Sequence, residues 1–600
     1  MTLFQSPIPY VEPRDDFTIP QFVFSETFEH PTKSADVGKF PCMIEEETGR
    51  KVYLSELQYR TDALARAFNA LWNIRDGDIV SLYIPNHVDY PTLTWATHKL
   101  GGIVAALSAS LTSDELAYQL TVARPSLLVA HVENLPAAIE AANAVKLPHS
   151  RIIVLDGHKS PKKLPLKTVE DLVNDKTLPP YVEYRFTKPG QAREKIAFLC
   201  FSSGTTGKPK AVAISHYNVI SDLIQFATLA GQGTNYAPPE QRRFRPGDVA
   251  SGAVSQKHPL FSYNCGLIFT KDIYGLVVNL HAIFYVSMTV VVSAKFNYER
   301  FLQSIDTYGI THLLIVPPQA LLLVKHPATK KYKLSTLRVI VAAAAPVSAE
   351  LTTQLVEAFP KLHIGQGYGM TETTSAVTVY PITQKVGTLG SAGQLVPGIT
   401  AKVVKPDGSL AGVGEPGELL LKGPQIALGY YHNEQATNET FIDGWLKTGD
   451  EVLFAENGDM FVTDRIKELI KVKGNQVAPS ELEGHLLDHP DVADVAVIGI
   501  PDDFAGEAPL AYVVLKPAVA AEVAKTPALA EEVKARLQKT LTKTLHKHVS
   551  ATKSKYKWLT GGVIFIEAIP KSPSGKILRR VLRDQSKALR AQAQKPSAKL

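Results

Sequence analysis

The chain of 600 residues holds only three cysteines, Cys42, Cys200 and Cys265, and none forms a Cys-x-x-Cys pair. That scarcity argues against a disulfide framework or a zinc–cysteine cluster and suits a reducing compartment. The N-terminus, MTLFQSPIPYVEPRDDF, lacks a basic segment leading into an apolar core, so no secretory leader is expected there. A concentrated basic face is missing as well. The net charge of +6 is mild for this length and points to small anions rather than to nucleic acid. Residues 273–294 carry no Asp, Glu, Lys or Arg, and that length suffices to cross a bilayer. Asn279, His281, Ser287 and Thr289 interrupt the run, and its end is strongly β-branched. It therefore reads as a buried helix followed by a buried strand, and no transmembrane segment is expected.

What is present is an ordinary globular composition, 45% hydrophobic and 20% charged, on a chain too long for one core. The first three-quarters alternates short apolar strands with helical runs: KIAFLCF, TVVVSAKF, THLLIVPP and LRVIVAAAA against FLQSIDTYGI and AELTTQLVEAF. This predicts an α/β class with layered, largely parallel sheets. Near residue 390 short strands broken by Pro-Asp-Gly and Glu-Pro-Gly predict a smaller β-rich subdomain over about 390–463. The expected division is a large N-terminal domain over 1–464 and a small mobile α+β domain over 465–585. Residues 586–600, basic and poor in apolar groups, read as a flexible tail. Residues 231–248 read as a long surface loop.

The first stretch that could carry chemistry is FSSGTTGKPK at 201–210. It looks like a phosphate cradle but is not a P-loop, because only Thr205 and Thr206 separate Gly204 from Gly207 and Lys208 precedes Pro209. Its glycines let backbone amides converge on an anion, and Lys208 and Lys210 add charge. A solvated Ser/Gly loop would look the same. The second is QGYGMTETTS at 366–375, whose glycines (365, 367 and 369) are evenly spaced and fail the GxGxxG dinucleotide fingerprint. It offers Tyr368 to stack on a base, Thr371 to bond phosphate and Glu372 to hold magnesium; a tight turn with an exposed Glu is the plain alternative. The third, DGWLKTGD at 443–450, places Asp450 where a carboxylate accepts ribose hydroxyls or merely caps a turn. The fourth is DRIKELIKVKGNQVAPSELE at 464–483. The fifth, KSPSGKILRR at 571–580, presents Lys576 from a flexible turn as a mobile charge or as one more surface lysine.

In this order the motifs resemble the adenylate-forming superfamily: acyl- and aryl-CoA ligases, luciferases and nonribosomal-peptide adenylation domains. The resemblance runs over about residues 30–585, and its flavour is that of 4-coumarate-CoA ligase-like enzymes, on GELLLKG, GYYHNEQATNETF and DRIKELIKVKGNQVAPSELE. It implies a ligase that joins a small carboxylic acid to ATP with Mg²⁺, releasing pyrophosphate, and then passes the acyl group to coenzyme A. By resemblance Ser202, Ser203, Gly204, Thr205, Thr206, Gly207, Lys208 and Lys210 wrap the phosphates. Gln366, Gly367, Tyr368 and Gly369 line the adenine site, and Thr371 meets the α-phosphate. Glu372 ligates the metal, while Asp450 and Arg465 hold the ribose. Lys576 bridges the reacting oxygens, with Lys471 and Gln476 in support. A hinge at Asp464–Lys467 would then turn the small domain and bring Lys473 and Gly474 to coenzyme A.

The acyl pocket is assigned in the same way to Phe261, Ser262, Tyr263, Ala343, Ala344 and Thr373. Ser262 stands where many relatives carry a gating His. The chain ends Ala598-Lys599-Leu600, a conservative form of the Ser-Lys-Leu address, so an import receptor and a peroxisomal location are expected, with the cytoplasm otherwise. A luciferase-like oxygenase and a non-catalytic acyl-AMP-binding relative share the motif set. Ser262 weakens the first, and the presence of Glu372, Asp450, Arg465 and Lys576 together weakens the second.

Overall fold

The computed structural model describes residues 3–24, 30–34, 36–159, 165–202, 209–234, 236–238, 241–252, 257–258, 261–264, 273–343, 347, 349–466, 468–472, 475–502, 505–517, 519, 530–553, 555–571 and 576–594.

The first sheet is built from β1 (Ile79–Ile84), β2 (Ile103–Ser108), β3 (Leu127–His131), β4 (Ile152–Leu155), β5 (Ile196–Ser202) and β6 (Lys210–Ser215). Its order is β6-β5-β2-β1-β3-β4, with the short strand Gly429–Tyr430 outside β6. Strands β1 to β4 are buried at every position, as parallel strands covered on both faces must be. Helices pack on them, among them α1 (Leu54–Trp72), which turns Leu57, Leu64 and Phe68 inward at helical spacing.

The second sheet contains β7 (Val249–Gly252), β8 (Thr289–Val292), β9 (His312–Ile315), β10 (Val339–Ala342), β11 (His363–Gly369) and β12 (Ala376–Val379). Ahead of β8, the uncharged run at 273–294 forms the expected buried helix and strand, with a π-wound turn over Gly275–Ala282. Among the described residues no helix is long and apolar enough to cross a membrane. The third sheet pairs β13 (Thr400–Val404) and β14 (Gly417–Lys422) with, after β15 (Gly429–Tyr430), β16 (Trp445–Phe454) and β17 (Met460–Arg465). Here burial alternates residue by residue, the mark of an antiparallel sheet with one wet face.

After β17 the chain builds a separate sheet: β18 (Ile470–Val472), β19 (Asn475–Val477), β20 (Val492–Asp502), β21 (Gly506–Leu515) and β22 (Gly562–Phe565). Helices α2 (Pro479–Leu487), α3 (Ala530–Thr552) and α4 (Arg579–Gln594) accompany it. Two hydrophobic clusters of this segment draw only on residues from Ile470 onward, so it has cores of its own.

Two expectations need correction. Residues 586–594 are the second half of helix α4 rather than flexible tail. Leu582 and Ser586 are buried on one face, and Arg590 donates from Nη1 to the Pro501 carbonyl at 2.9 Å. Composition concealed a helix end whose basic Lys587 and Arg590 are exposed while Ser586 is buried. Residues 595–600, with the terminal tripeptide, lie outside the described residues. The 231–248 segment is likewise more than a surface loop, because Arg243, Phe244 and Asp248 are buried. The Arg243 guanidinium lies 4.0 Å from the Tyr380 ring centroid and donates to the carbonyls of Pro381 and Gln384, each at 2.7 Å.

Candidate active site

The FSSGTTGKPK segment sits where β5 turns back into β6. Ser202 and Lys210 are register partners across that hairpin, so the apolar runs on either side fix the loop's two ends. Ser203, Gly204, Thr205, Thr206, Gly207 and Lys208 lie outside the described residues. Lys210 Nζ stands 4.7 Å from the centroid of the Tyr430 ring, which β15 brings alongside β6.

The second motif continues from β11 into a single 3-10 turn, Thr371–Thr373. A Cβ at Gly369 would fall 2.0 Å from the Ser375 carbonyl oxygen, so the close approach of the chain to itself requires glycine there. The turn is stapled by Thr373, fully buried, whose Oγ1 accepts from the Met370 amide and lies 2.7 Å from the Ser375 carbonyl. Gln366 is engaged in the same framework through Ser391 and the Val347 amide. Ala343 is buried at the end of β10, its amide donating to Ile315.

The turn leaves Glu372 buried with its carboxylate at a junction of three segments. Its Oε1 accepts from Ser202 Oγ at 3.0 Å and from the Tyr430 hydroxyl at 2.8 Å. Tyr430 was not singled out from the sequence. Its GYY segment was quoted for its resemblance alone, and nothing in the local pattern shows that β15 will carry it to Glu372. Burial, followed by the charge of Glu372, raises the Tyr430 phenol, so it stays protonated and donates.

A second junction forms around Asp450. Strands β16 and β17 place it opposite Arg465, whose Nε lies 3.4 Å from Asp450 Oδ1. Tyr368, at the end of β11, donates its hydroxyl to Asp450 Oδ2 at 2.6 Å. Burial pushes the Asp450 carboxyl up from its ordinary range, opposed by Arg465, the Tyr368 hydroxyl and the charge of Lys576. Lys576 therefore stands close enough to Asp450 for its charge to bear on it, although the two belong to different cores. Ser202 and Tyr430 thus meet on one carboxylate, Glu372, and Tyr368 and Arg465 on another, Asp450, from motifs far apart in sequence.

Other predicted residues fall elsewhere or are not described. Lys471, exposed on β18, is the register partner of Gln476 on β19. Asp464 is buried at the end of β17. Phe261, Ser262 and Tyr263 lie on a short strand paired with 257–258. Ala344, Lys467, Lys473 and Gly474 are outside the described residues. Among the described residues no group of His, Cys, Asp or Glu forms a ready-made metal cluster.

Known proteins match this arrangement along nearly the whole chain. The family model described as AMP-binding enzyme matches residues 32–431, and that of the AMP-binding enzyme C-terminal domain matches 481–576. A probable 4-coumarate–CoA ligase of Dictyostelium discoideum is 34% identical over 525 residues, covering 85% of this chain and 86% of the relative. The peroxisomal OPC-8:0-CoA ligase 1 of Arabidopsis thaliana is 32% identical, with 90% of each chain covered. A solved anthranilate CoA ligase in complex with anthranoyl-AMP superimposes with a TM-score of 0.79 at 23% identity, covering 96% of this chain and 98% of that one. The chain belongs to the AMP-binding enzyme family, within its branch of adenylate-forming CoA ligases.

Proposed function

We propose that this ligase activates a small aryl or medium aliphatic carboxylic acid as its acyl-adenylate and transfers the acyl group to coenzyme A. The observation that carries the reading is the Asp450–Arg465–Tyr368 group, on which the charge of Lys576 bears. A carboxylate attacking the α-phosphorus of ATP must approach a polyanion, and a lysine beside the ribose-binding carboxylate is where that repulsion is offset. Asp450 and Arg465 hold the ribose, Tyr368 lies against the adenine, and Thr371 meets the α-phosphate. Ser202, Lys210 and the loop between them cradle the outer phosphates. Glu372 supplies a hard oxygen ligand suited to Mg²⁺, completed by phosphate oxygens; that metal would neutralise charge on the leaving pyrophosphate.

Residues 1–464 form the adenylating domain and 465–585 a lid that turns about Asp464–Lys467, withdrawing Lys576 and presenting Lys473 and Gly474 to coenzyme A. Lys471 and Gln476 support the first step. Phe261, Ser262, Tyr263, Ala343, Ala344 and Thr373 shape the acyl site. The reading is tested by pyrophosphate and AMP release with a panel of aryl and aliphatic acids, with and without coenzyme A. Pyrophosphate release without a coenzyme A-dependent thioester would sink it.

The terminal Ala598-Lys599-Leu600 is read as a peroxisomal address recognised by the import receptor. Fusing the last ten residues to a fluorescent protein is expected to give punctate signal; diffuse signal would count against this location.

A further inference from the structure

Helix α2 starts badly for a helix. Its N-cap is Ala478, which offers no side-chain acceptor, although Pro479 at the first helical position suits a helix start and brings no amide of its own. The first free amide of the helix, Ser480 N, is satisfied from elsewhere. It donates to Asp464 Oδ2 at 3.1 Å, and the Ser480 hydroxyl bonds that same oxygen and the Thr463 carbonyl, each at 3.1 Å. Asp464 is 8% exposed and belongs to β17, in the antiparallel sheet of the large domain. A carboxylate at a helix N-terminus is favoured both as a cap and by the helix dipole. Here the cap comes from across the hinge.

The capped helix leads directly to the lysine. Glu483, one turn along α2, is buried and holds the Val497 amide at 2.7 Å and Arg579 Nη2 at 3.0 Å. Arg579 also lies 3.4 Å from Glu468, just past the hinge. It opens helix α4, three residues after Lys576. On the other side of the Lys576 turn, Lys571 is paired with Asp494 at 2.8 Å and bridged to Ile577. Polar contacts and short stretches of backbone thus link the hinge strand, helix α2 and Arg579 to the Lys576 segment.

We propose that Asp464 and Ser480 are positioning residues for adenylation: Asp464 caps helix α2 across the hinge, and this cap favours the orientation in which Lys576 faces Asp450. The inference rests on the two-step ligase reading above. Turning the small domain about the bonds after Asp464 separates carboxylate from helix, and water must replace the cap. The contact therefore biases the lid toward the first half-reaction without touching substrate.

The test measures both half-reactions in the intact enzyme: acid-dependent pyrophosphate exchange, and thioester formation from pre-made acyl-adenylate. Asp464→Ala, which removes the cap, is expected to shift the ratio of the two rates toward thioester formation by about fivefold, the worth of one cap, and Ser480→Ala, which loses only the hydroxyl contacts, by a smaller factor in the same direction. Ser480→Thr restores the wild-type ratio. A ratio unchanged in both alanine variants, or parallel loss of both half-reactions, would overturn the proposal. Lys576→Ala is the control for the parent reading and should lose exchange while keeping thioester formation. If the wild type forms no acyl-adenylate, or Lys576→Ala loses both steps, the ligase or rotation reading fails instead of the cap.

Discussion

The Tyr368 hydroxyl donates to Asp450 Oδ2 at 2.6 Å, from a tyrosine at the end of one sheet to a carboxylate in another. Burial pushes the Asp450 carboxyl up, and this donated bond opposes the rise. In the proposed role of Asp450, the ionised carboxylate is the stronger acceptor for a ribose hydroxyl. Tyr368→Phe removes the donor, raises the carboxyl further and weakens nucleotide binding. The expected result is a KM for ATP about tenfold higher at neutral pH, since hydrogen bonds to charged groups are worth roughly 1.5–3 kcal/mol. The acid limb of kcat/KM for ATP should also move to higher pH. An unchanged acid limb would show that the bond does not govern Asp450.

Glu372 and Tyr430 give a second test. The Tyr430 hydroxyl bonds the carboxylate at 2.8 Å, and its ring lies 4.7 Å from Lys210 Nζ. Tyr430→Phe keeps the ring and frees the carboxylate, so the Mg²⁺ concentration for half-maximal pyrophosphate exchange should rise severalfold with little change in the KM for ATP. Tyr430→Leu removes the ring as well and should raise the KM for ATP too, because Lys210 loses its platform. Identical profiles for the two variants would mean that hydroxyl and ring are not separable.

Glu372, Asp450, Arg465 and Lys576 stand out in the sequence because each lies in a short motif whose residue types suit nucleotide chemistry. Tyr430 was not, since its role arises from the pairing of β15 with β6, a long-range event with no local signature. The same holds for Ser480, whose partner Asp464 comes from strand β17. Buried strands were read from continuous apolar runs, which parallel sheets demand. The basic end of α4 was missed for the opposite reason: one buried face among many charges carries too little apolar signal to stand out from a tail. The 231–248 segment misled because arginine reads as exposed, whereas Arg243 is buried on Tyr380.

That buried arginine can be weighed. Its guanidinium donates to the Pro381 and Gln384 carbonyls and stacks on Tyr380, tying the segment before β7 to the strand end beyond β12. Arg243→Ala strands those carbonyls and leaves a cavity, which should cost about 3 kcal/mol. Denaturant unfolding would measure it. A loss below about 1 kcal/mol would mean that water replaces the side chain without strain.

The large domain should be acid-labile, because it buries histidines in their neutral form. His281 shows why. The Trp95 indole N–H can only donate, so His281 Nε2 accepts it at 3.1 Å, and the ring proton sits on Nδ1 against the Leu276 carbonyl at 2.7 Å. A second proton would face a donor. Burial holds His281 down at about 4 and His98 at about 3, and burial with the nearby Arg338 holds His312 at about 3. In the unfolded chain each titrates near 6.5, so below that pH the unfolded state binds protons that the native state refuses. The contribution of these groups is complete above about pH 6.5 and is lost as pH falls toward the folded values, at up to about 1.4 kcal/mol per pH unit per histidine. Between about pH 7.5 and pH 5 these histidines should lower the unfolding free energy of the wild type, against the opposing contribution of carboxyls such as Asp222, which burial pushes up. His281→Gln, which keeps a donor and an acceptor but does not titrate, should remove the share of one group from that lowering. A pH profile unaltered in His281→Gln would refute the assignment.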